Sequence, residues 1–282
     1  MERRQDGGGG MTATINPDGL LAGKTAIVTG ASRGIGEAIA IRYAMEGARV
    51  AVAARTVNEG DHRLLAGSIT GVANRINEAG GAALAVQCNL AEAEDRANLV
   101  ETTERELGPV DILVNNGAVT YYISVDEFPE SRFKIMMEVQ VYAAMHLCQL
   151  VLPGMRERAS GWVVNMSSGA AILPALDANV NNGTIYGMCK AALERFSSGL
   201  ATETRDDGIA VNAIRPGLVA TPGVEYFGMI TDANRDMVTP VEDVAEASLQ
   251  LALADPASLS GRVVTASGML EEFDLTSADL DL

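Results

Sequence analysis

Tyr186 and Lys190 are the residues of this sequence whose types and spacing point most directly to acid–base chemistry. They stand four positions apart at the start of a predicted helix, a spacing that places both side chains on one face about one turn apart. A phenol normally keeps its proton until about pH 10, and a nearby ammonium group lowers that pKa because it favours the phenolate. Such a tyrosine can act as a general acid or base near neutral pH. The same spacing also occurs by chance, with a packed tyrosine beside a solvated lysine.

A glycine-rich loop near the start of the chain supplies a second candidate site. The apolar run 24–28 leads into Thr29 and a loop with three spaced glycines, and an amphipathic stretch follows. A strand, a glycine loop and a helix in that order form the phosphate cradle of dinucleotide-binding folds. A plain tight turn is the alternative for the loop alone. The pattern predicts a dinucleotide site whose loop residues are Gly30, Ser32, Arg33, Gly34, Ile35 and Gly36.

The charges near this loop indicate which dinucleotide it would bind. A free ribose 2′-hydroxyl is usually bound by an acid near the end of the second strand, whereas a 2′-phosphate is bound by arginine. The second strand ends in Ala53-Ala54-Arg55 without an acid, and Arg33 lies in the glycine loop. Two arginines that converge on one phosphate favour NADP(H) over NAD(H). A surface salt bridge would also account for Arg55.

Strand-like and helix-like segments alternate along the rest of the chain. This alternation predicts a Rossmann-type, doubly wound parallel sheet of about seven strands, with helices on both faces. No internal repeat or interior linker is visible, so residues 20–268 are expected to form a single NADP-binding catalytic domain. Residues 1–19 are expected to be a disordered tail and residues 269–282 an acidic tail. The predicted strands cover 24–28, 49–53, 83–87, 111–114, 162–166, 210–214 and 262–265; a long helix is predicted over 131–157.

The composition argues against several classes of function. A formal net charge of −16 makes nucleic acid or an anionic membrane an unfavourable partner. Two histidines and three cysteines without metal-ligand or disulfide spacing indicate no metal site. No apolar run approaches the length of a membrane span, and residues 1–10 lack the apolar region of a secretory signal. A cytoplasmic location is therefore expected.

Several motifs in order along the chain resemble the classical short-chain dehydrogenase/reductase family. The glycine loop from Thr29 to Gly36 resembles the family's cofactor loop, and Asn115-Asn116-Gly117-Ala118 resembles its N-N-A-G segment with the last two residues exchanged. Ser168, Tyr186 and Lys190 resemble its catalytic set, and the segment 215–221 resembles its P-G loop. The resemblance covers residues 20–267, nearly the whole globular length.

The resemblance implies a role for each matching residue. Tyr186 would exchange a proton with the substrate oxygen, Lys190 would lower the pKa of Tyr186 and hold the nicotinamide ribose, and Ser168 would position the substrate oxygen. Asn89 falls where the family usually has Asp beside the adenine. Further contacts with the cofactor would come from Leu90, Asn116, Gly117, Pro216, Gly217, Val219 and Thr221.

Two positions depart from the family's pattern. Gln140 replaces an Asn that supports a proton-relay water near the lysine; the same amide on a longer arm would keep the relay with shifted geometry, or Gln140 simply packs on its helix. Tyr186 follows Ser168 by 18 positions, farther than in the family's pattern, with the extra residues in a polar loop that is expected to border the substrate pocket. Ser167 competes with Ser168 for the serine role.

The loops on the catalytic side predict the kind of substrate. Segments 121–123, 172–174 and 224–229 are apolar and partly aromatic, and only Arg132 and Arg235 could anchor an anionic group. We therefore expect a hydrophobic or aromatic secondary alcohol or ketone, unless these loops only pack on one another. By analogy with the family the protein is expected to be a homodimer or homotetramer. The rival interpretation is a non-catalytic NADP(H)-binding sensor or scaffold, for which Gln140 and the exchanged Gly117-Ala118 would be signs of decay.

Overall fold

A seven-stranded parallel sheet forms the centre of the protein in a computed structural model that describes residues 14–178 and 180–282. The strand order is β3-β2-β1-β4-β5-β6-β9, which confirms the predicted Rossmann-type topology. The order reverses between β1 and β4, and ligands of such sheets bind beyond the carboxyl ends of the strands at that point. The strands are β1 (Thr25–Thr29), β2 (Arg49–Ala54), β3 (Ala82–Gln87), β4 (Ile112–Asn115), β5 (Gly161–Met166), β6 (Ile209–Arg215) and β9 (Val263–Thr265).

Helices cover both faces of the sheet and divide its side chains between two cores. In β1, Ala26 and Val28 belong to one buried cluster and Ile27 to the other, because successive side chains of a strand point to opposite faces. Helices α1 (Gly34–Met45), α2 (Ile69–Glu78), α8 (Val241–Ala252) and α9 (Ala266–Phe273) contribute to the first cluster. Helices α3 (Ala93–Glu106), α5 (Ala143–Glu157) and α6 (Thr184–Glu203) contribute to the second. Burial on both sides explains why the strands read as continuous apolar runs.

The helix predicted over 131–157 is interrupted. It consists of α4 (Glu130–Met137), a π-helical segment (Glu138–Tyr142) and α5. Such single π turns frequently occur at functional sites, and this one contains Gln140. By length and composition alone, 130–157 could cross a membrane, contrary to the expectation from the sequence, but core helices of soluble proteins meet the same criterion. Met136, Leu147 and Met155 of this segment are fully buried in the protein.

The predicted tails include residues that pack against the domain. The N–H of Asn16 donates to the carbonyl of Met45 (2.8 Å), whereas residues 1–13 of the predicted tail lie outside the described residues. The boundary predicted at 268 falls inside α9, whose Met269 is fully buried. Leu280 and Leu282 also pack against the first core. The acidic composition of the end of the chain concealed these apolar anchors.

A small second sheet and a short helix follow β6. Strands β7 (Leu218–Val219) and β8 (Val238–Thr239) pair in parallel, and helix α7 (Pro222–Tyr226) lies between them in the chain. These elements were not predicted because two-residue strands and a five-residue helix carry no recognisable periodicity. They fix the position of the segment after β6 beside the end of the main sheet.

We expect Tyr43→Phe to lower the free energy of unfolding by about 1–3 kcal/mol, because it leaves a buried hydroxyl without its partner. The Tyr43 hydroxyl, in α1, lies 2.7 Å from the hydroxyl oxygen of Ser248 in α8, and both residues are fully buried. Urea denaturation of the purified protein measures the change. The double variant Tyr43→Phe/Ser248→Ala should recover part of the loss. An unchanged free energy of unfolding in the single variant would show that this hydrogen bond does not stabilise the packing of the two helices.

Candidate active site

A cavity of about 470 Å³ opens at the carboxyl ends of β1, β2, β4 and β5, where the strand order reverses. Most of the residues predicted for the cofactor and for catalysis line it, although they come from distant parts of the sequence. Gly36, Gly217, Val219, Ser168 and Gln140 are not among the lining residues. Those that line it are Gly30, Ser32, Arg33, Gly34, Ile35, Arg55, Asn89, Leu90, Asn116, Gly117, Tyr186, Lys190, Pro216 and Thr221.

The glycine loop lies directly against the end of β4. A Cβ on Gly36 would come within 2.4 Å of the Gly30 carbonyl oxygen and 2.5 Å of Asn116 Nδ2, so no larger residue fits without a shift. Gly30 has φ +65°, and a Cβ there would come within 2.7 Å of the Gly117 Cα. The Asn116 amide donates to the carbonyls of Thr29 (2.9 Å) and Gly30 (3.2 Å). The close approach that these glycines allow, ahead of α1, fits a pyrophosphate group.

The segment after β6 covers the loop from the other side. Thr221 caps α7 by accepting a hydrogen bond from the Val224 N–H (3.3 Å), and a Cβ on Gly34 would lie 3.1 Å from the Thr221 methyl group. Gly217 has φ +84° and contacts Thr239 so closely that a Cβ would lie 2.3 Å from its hydroxyl oxygen. Val219 is buried in β7. Gly217 and Val219 therefore hold this segment in place, while Thr221 faces the cavity.

Helix α6 carries Tyr186 and Lys190 on the cavity side, as their spacing predicts. The Lys190 ammonium lies 5.8 Å from the centre of the Tyr186 ring and donates a 2.7 Å hydrogen bond to the Met166 carbonyl at the end of β5. Lys190 is only 3% exposed. The helix begins two residues before Tyr186, so both side chains lie in its first two turns.

The electrostatics of the pair differ from the sequence-based expectation. Burial raises the pKa of Tyr186, a hydrogen bond with Ser168 opposes this shift, and nearby Cys189 adds to it. Burial also lowers the pKa of Lys190 to about 8. The expectation that Lys190 lowers the pKa of Tyr186 is not met in this structure, because loss of hydration dominates at both groups and the ammonium is directed at a backbone carbonyl.

The two candidate serines have different partners. The Ser167 hydroxyl donates to Glu194 Oε1 (2.6 Å), and Glu194 also accepts two hydrogen bonds of 2.7 Å from Arg215. Ser167 is therefore committed to a partly buried polar cluster. The Ser168 hydroxyl accepts from the Ala170 N–H (3.2 Å) and is the hydrogen-bonding partner of Tyr186. The hydrogen bond with Tyr186 favours Ser168, whereas Ser167 is the one of the two that lines the cavity.

Gln140 is anchored by one end of its amide only. Its Nε2 donates to the Val119 carbonyl (2.8 Å), while its Oε1 is buried without a hydrogen-bond partner among the described residues. A separate cavity of about 10 Å³ is lined by Gln140, Asn115 and Lys190. This volume is about the least that holds one water molecule.

The predicted pair of arginines does not converge freely on one phosphate. Arg33 Nε donates to the Ala66 carbonyl (2.6 Å) and its Nη2 to the Gly67 carbonyl (2.8 Å), so most of its guanidinium is bound to the loop before α2. Arg55 is exposed and forms no ion pair or hydrogen bond with the described residues. His62, which was not predicted for the site, lines the cavity beside them.

Asn89 lies just after β3 and lines the cavity. Its backbone N–H donates to Asp95 Oδ2 (2.8 Å), and its own Oδ1 accepts from the Ala91 N–H (3.2 Å). Asp95 comes from the first turn of α3. The side-chain Nδ2 of Asn89 forms no hydrogen bond with the described residues and is available to a ligand.

Aromatic side chains line the end of the cavity beside Tyr186. The Tyr122 ring stands edge-on to the rings of Tyr186 and Phe227, with centroids 6.0 and 5.7 Å away. The two candidate anion anchors do not line the cavity: Arg132 stacks on Tyr121, and Arg235 pairs with Asp232. Apolar residues that share this end of the cavity are Ile135, Val139, Val224 and Met229.

Polar residues behind the site were also missed by sequence reasoning. The Asn115 amide donates to Asn165 Oδ1 (2.9 Å), and the Asn165 amide donates to the Ser197 hydroxyl (2.8 Å). This buried network joins β4, β5 and α6. Thr29 accepts from the N–H groups of Asn116 (3.0 Å) and Gly117 (3.1 Å). Polar residues at the ends of apolar strands were the available sequence signal.

Residues 24–228 match the model of the short chain dehydrogenase family. The 7alpha-hydroxysteroid dehydrogenase of Escherichia coli K12 is 33% identical over 263 residues, which cover 90% of this chain and 97% of the relative. An uncharacterized oxidoreductase of Methylorubrum extorquens is 32% identical over 257 residues, which cover 88% of this chain and 98% of the relative.

Solved structures give the same result. A short-chain type dehydrogenase/reductase from Mycobacterium marinum superposes with a TM-score of 0.77 at 26% identity, covering 87% of this chain and 94% of that one. A Beutenbergia cavernae protein assigned as an NAD(P) dependent gluconate 5-dehydrogenase, solved with NADP at low occupancy, superposes with a TM-score of 0.74 at 29% identity, covering 90% of this chain and 98% of that one. Because the family model covers most of the chain and a relative covered over nearly its whole length is 33% identical, this chain belongs to the short-chain dehydrogenase/reductase family of oxidoreductases.

Proposed function

We propose that the protein is an NADP(H)-dependent oxidoreductase that interconverts a hydrophobic or aromatic secondary alcohol and the corresponding ketone. The observation that carries this proposal is that Tyr186, Lys190 and the glycine loop share one cavity. When bound in this cavity, the cofactor would supply the hydride chemistry of the reaction. The chain itself must then position the substrate oxygen and move one proton.

Tyr186 is the group that moves this proton. Because burial raises its pKa, the phenol keeps its proton at neutral pH and is in the form that donates to a carbonyl oxygen. Ser168, which hydrogen-bonds with Tyr186, supplies a second donor to the same oxygen, and two donors aimed at it stabilise developing negative charge. Lys190, fixed on the Met166 carbonyl, keeps further N–H donors for the nicotinamide ribose.

The preference for NADP(H) rests on the charges around the end of β2. Arg55 is free of ion pairs with the described residues, and it stands directly after the last residue of β2, where an acid would bind a ribose 2′-hydroxyl. The chain has a formal charge of −16, so an arginine at the cavity that has no ion-pair partner among the described residues favours an anionic ligand there. The NADP in the Beutenbergia cavernae structure is consistent with this preference.

The substrate class follows from the aromatic end of the cavity. Tyr122, Phe227 and Val139 present mainly apolar surface, and no charged side chain except Lys190 lines this end among the described residues. A flat or cyclic apolar substrate would bury its surface there without leaving a charge unpaired. The Escherichia coli relative is named for a hydroxysteroid, which supports the same class.

We expect Tyr186→Phe to lower kcat at least about 100-fold and to leave the dissociation constant of NADPH nearly unchanged, because only the acid–base group is removed. Turnover of cyclic ketones is measured by the absorbance of the reduced nicotinamide, and binding by its fluorescence. Retained turnover in the variant would contradict the role of Tyr186. A wild-type protein that binds NADPH but converts no ketone or alcohol of a broad panel would favour the non-catalytic sensor.

Arg55→Ala should raise the KM for NADPH by about 10- to 100-fold and leave the KM for NADH within about twofold, because an arginine–phosphate contact contributes about 1.5–3 kcal/mol. Steady-state kinetics with both cofactors provide the measurement. Arg63→Ala is the matched control, since Arg63 is an exposed arginine of the same region and does not line the cavity. An equal effect on both cofactors would contradict a phosphate contact.

Gln140→Leu should lower kcat and increase its solvent isotope effect, because it removes the amide of a residue that lines the small cavity beside Lys190. We propose that one water molecule in this cavity links Gln140 to Lys190. Through this link a proton would return to Tyr186 after each turnover. Gln140→Asn keeps an amide and should retain more of the rate than Gln140→Leu. Unchanged kcat and isotope effect in Gln140→Leu would assign Gln140 to packing alone.

A further inference from the structure

The segment between β2 and α2 is a compact loop that is built onto the glycine loop. Its ends are joined because the N–H groups of Ile69 and Thr70 donate to the carbonyls of Thr56 (3.0 Å) and Val57 (3.1 Å). Closed surface loops of this kind, packed by their own side chains, are often functional. We call residues 57–68 the β2–α2 loop.

Gly67 makes the closest contact between the β2–α2 loop and the glycine loop. It has φ +101°, and a Cβ there would come within 2.4 Å of the Ser32 carbonyl oxygen. Arg33, from the glycine loop, donates to the carbonyls of Ala66 and Gly67, and Glu59 accepts from the Gly67 N–H (3.1 Å). The main role of Arg33 in this structure is therefore to hold the β2–α2 loop over the cavity mouth.

His62 has one nitrogen committed to the loop and one left for a ligand. Its Nδ1 accepts from the N–H groups of Leu64 (3.3 Å) and Leu65 (3.1 Å), so the neutral ring carries its proton on Nε2. Burial and the charges of Arg33 and Arg55 lower the pKa of His62, which favours this neutral form. The half-buried ring lines the cavity together with Arg55 and Thr56.

We propose that His62 is a specificity-determining residue whose Nε2–H, together with Arg55, binds the 2′-phosphate of NADP(H). Three positive or hydrogen-bond-donating groups, Arg33, Arg55 and His62, surround this part of the cavity. Carboxylates around this loop already have partners: Glu37 pairs with Arg75, and Glu59 and Asp61 accept hydrogen bonds from the loop backbone. A phosphate is therefore the group that matches the charge and the donors here. The inference rests on the NADP(H) dependence proposed above.

The variants His62→Asn and His62→Gln separate ligand binding from loop structure. The amide oxygen of Asn reaches about as far as Nδ1 and can accept the Leu64 and Leu65 N–H groups, but no donor remains at the position of Nε2. The amide of Gln reaches as far as Nε2 and can place a donor there. Arg63→Ala is the control, because it removes an exposed positive charge from the same loop.

Dissociation constants of NADPH and NADH for the full-length chain are measured by calorimetry, without turnover. We expect His62→Asn to weaken NADPH about tenfold or more and to leave NADH within about twofold, as for loss of one hydrogen bond to a charged group. His62→Gln should retain more NADPH affinity than His62→Asn, and Arg63→Ala should change neither affinity by more than about twofold.

Three outcomes would overturn the inference. If His62→Asn weakens NADPH and NADH equally, His62 acts only through the loop; if it weakens neither, His62 does not contact the cofactor. In both cases the NADP(H) preference of the wild-type protein stands. If the wild-type protein itself binds NADH as tightly as NADPH, the proposed cofactor preference and the inference fail together.

Discussion

The absence of side chains where the glycine loop meets the end of β4 is the constraint on which the site depends. Gly36 contacts the Gly30 carbonyl and the Asn116 amide at distances that leave no room for a Cβ. This contact brings the start of α1 against the sheet at the point where the strand order reverses. The Asn116 amide, bound to two carbonyls of the loop, holds the turn open as a concave backbone surface. Tyr186, Lys190 and Arg55 line the same cavity as this surface.

A second set of contacts fixes the catalytic end relative to the cofactor end. Glu194 of α6 binds Ser167 after β5 and Arg215 at the end of β6, so one carboxylate joins three elements. Burial raises the pKa of Glu194, but its hydrogen bonds with Arg215 and Ser167 lower it by more, so Glu194 stays ionised at neutral pH. Because Ser168 follows Ser167 directly and Tyr186 lies on the same helix as Glu194, this carboxylate controls their separation. The loop between Ser168 and Tyr186, which is longer than in the family's pattern, is tolerated because it takes no part in the contacts of Glu194.

The sequence predicted what local pattern determines. The apolar strand runs and the spacing of the glycines predicted the fold. The four-residue separation of Tyr186 and Lys190 predicted which face of α6 lines the cavity. Properties that depend on three-dimensional packing could not be predicted. The direction of the Tyr186 pKa depends on burial, which dominates over the expected effect of Lys190. The partners of Arg33 depend on how the β2–α2 loop folds back, and the π turn at Gln140 has no periodicity of its own. His62 was overlooked for the same reason, since its cavity position follows from tertiary contacts.

Lys190 shows why the site cannot be explained by stability alone. Its burial lowers its pKa from the ordinary value of 10.5 to about 8. Each unit corresponds to about 1.4 kcal/mol, so keeping the ammonium charged at neutral pH costs on the order of 3 kcal/mol of folding free energy. The cost remains although the ammonium donates a hydrogen bond to the Met166 carbonyl. A buried apolar residue at this position would pack without that cost. A lysine beside Tyr186, with N–H donors left for a ligand, is therefore explained by the proposed function and not by stability.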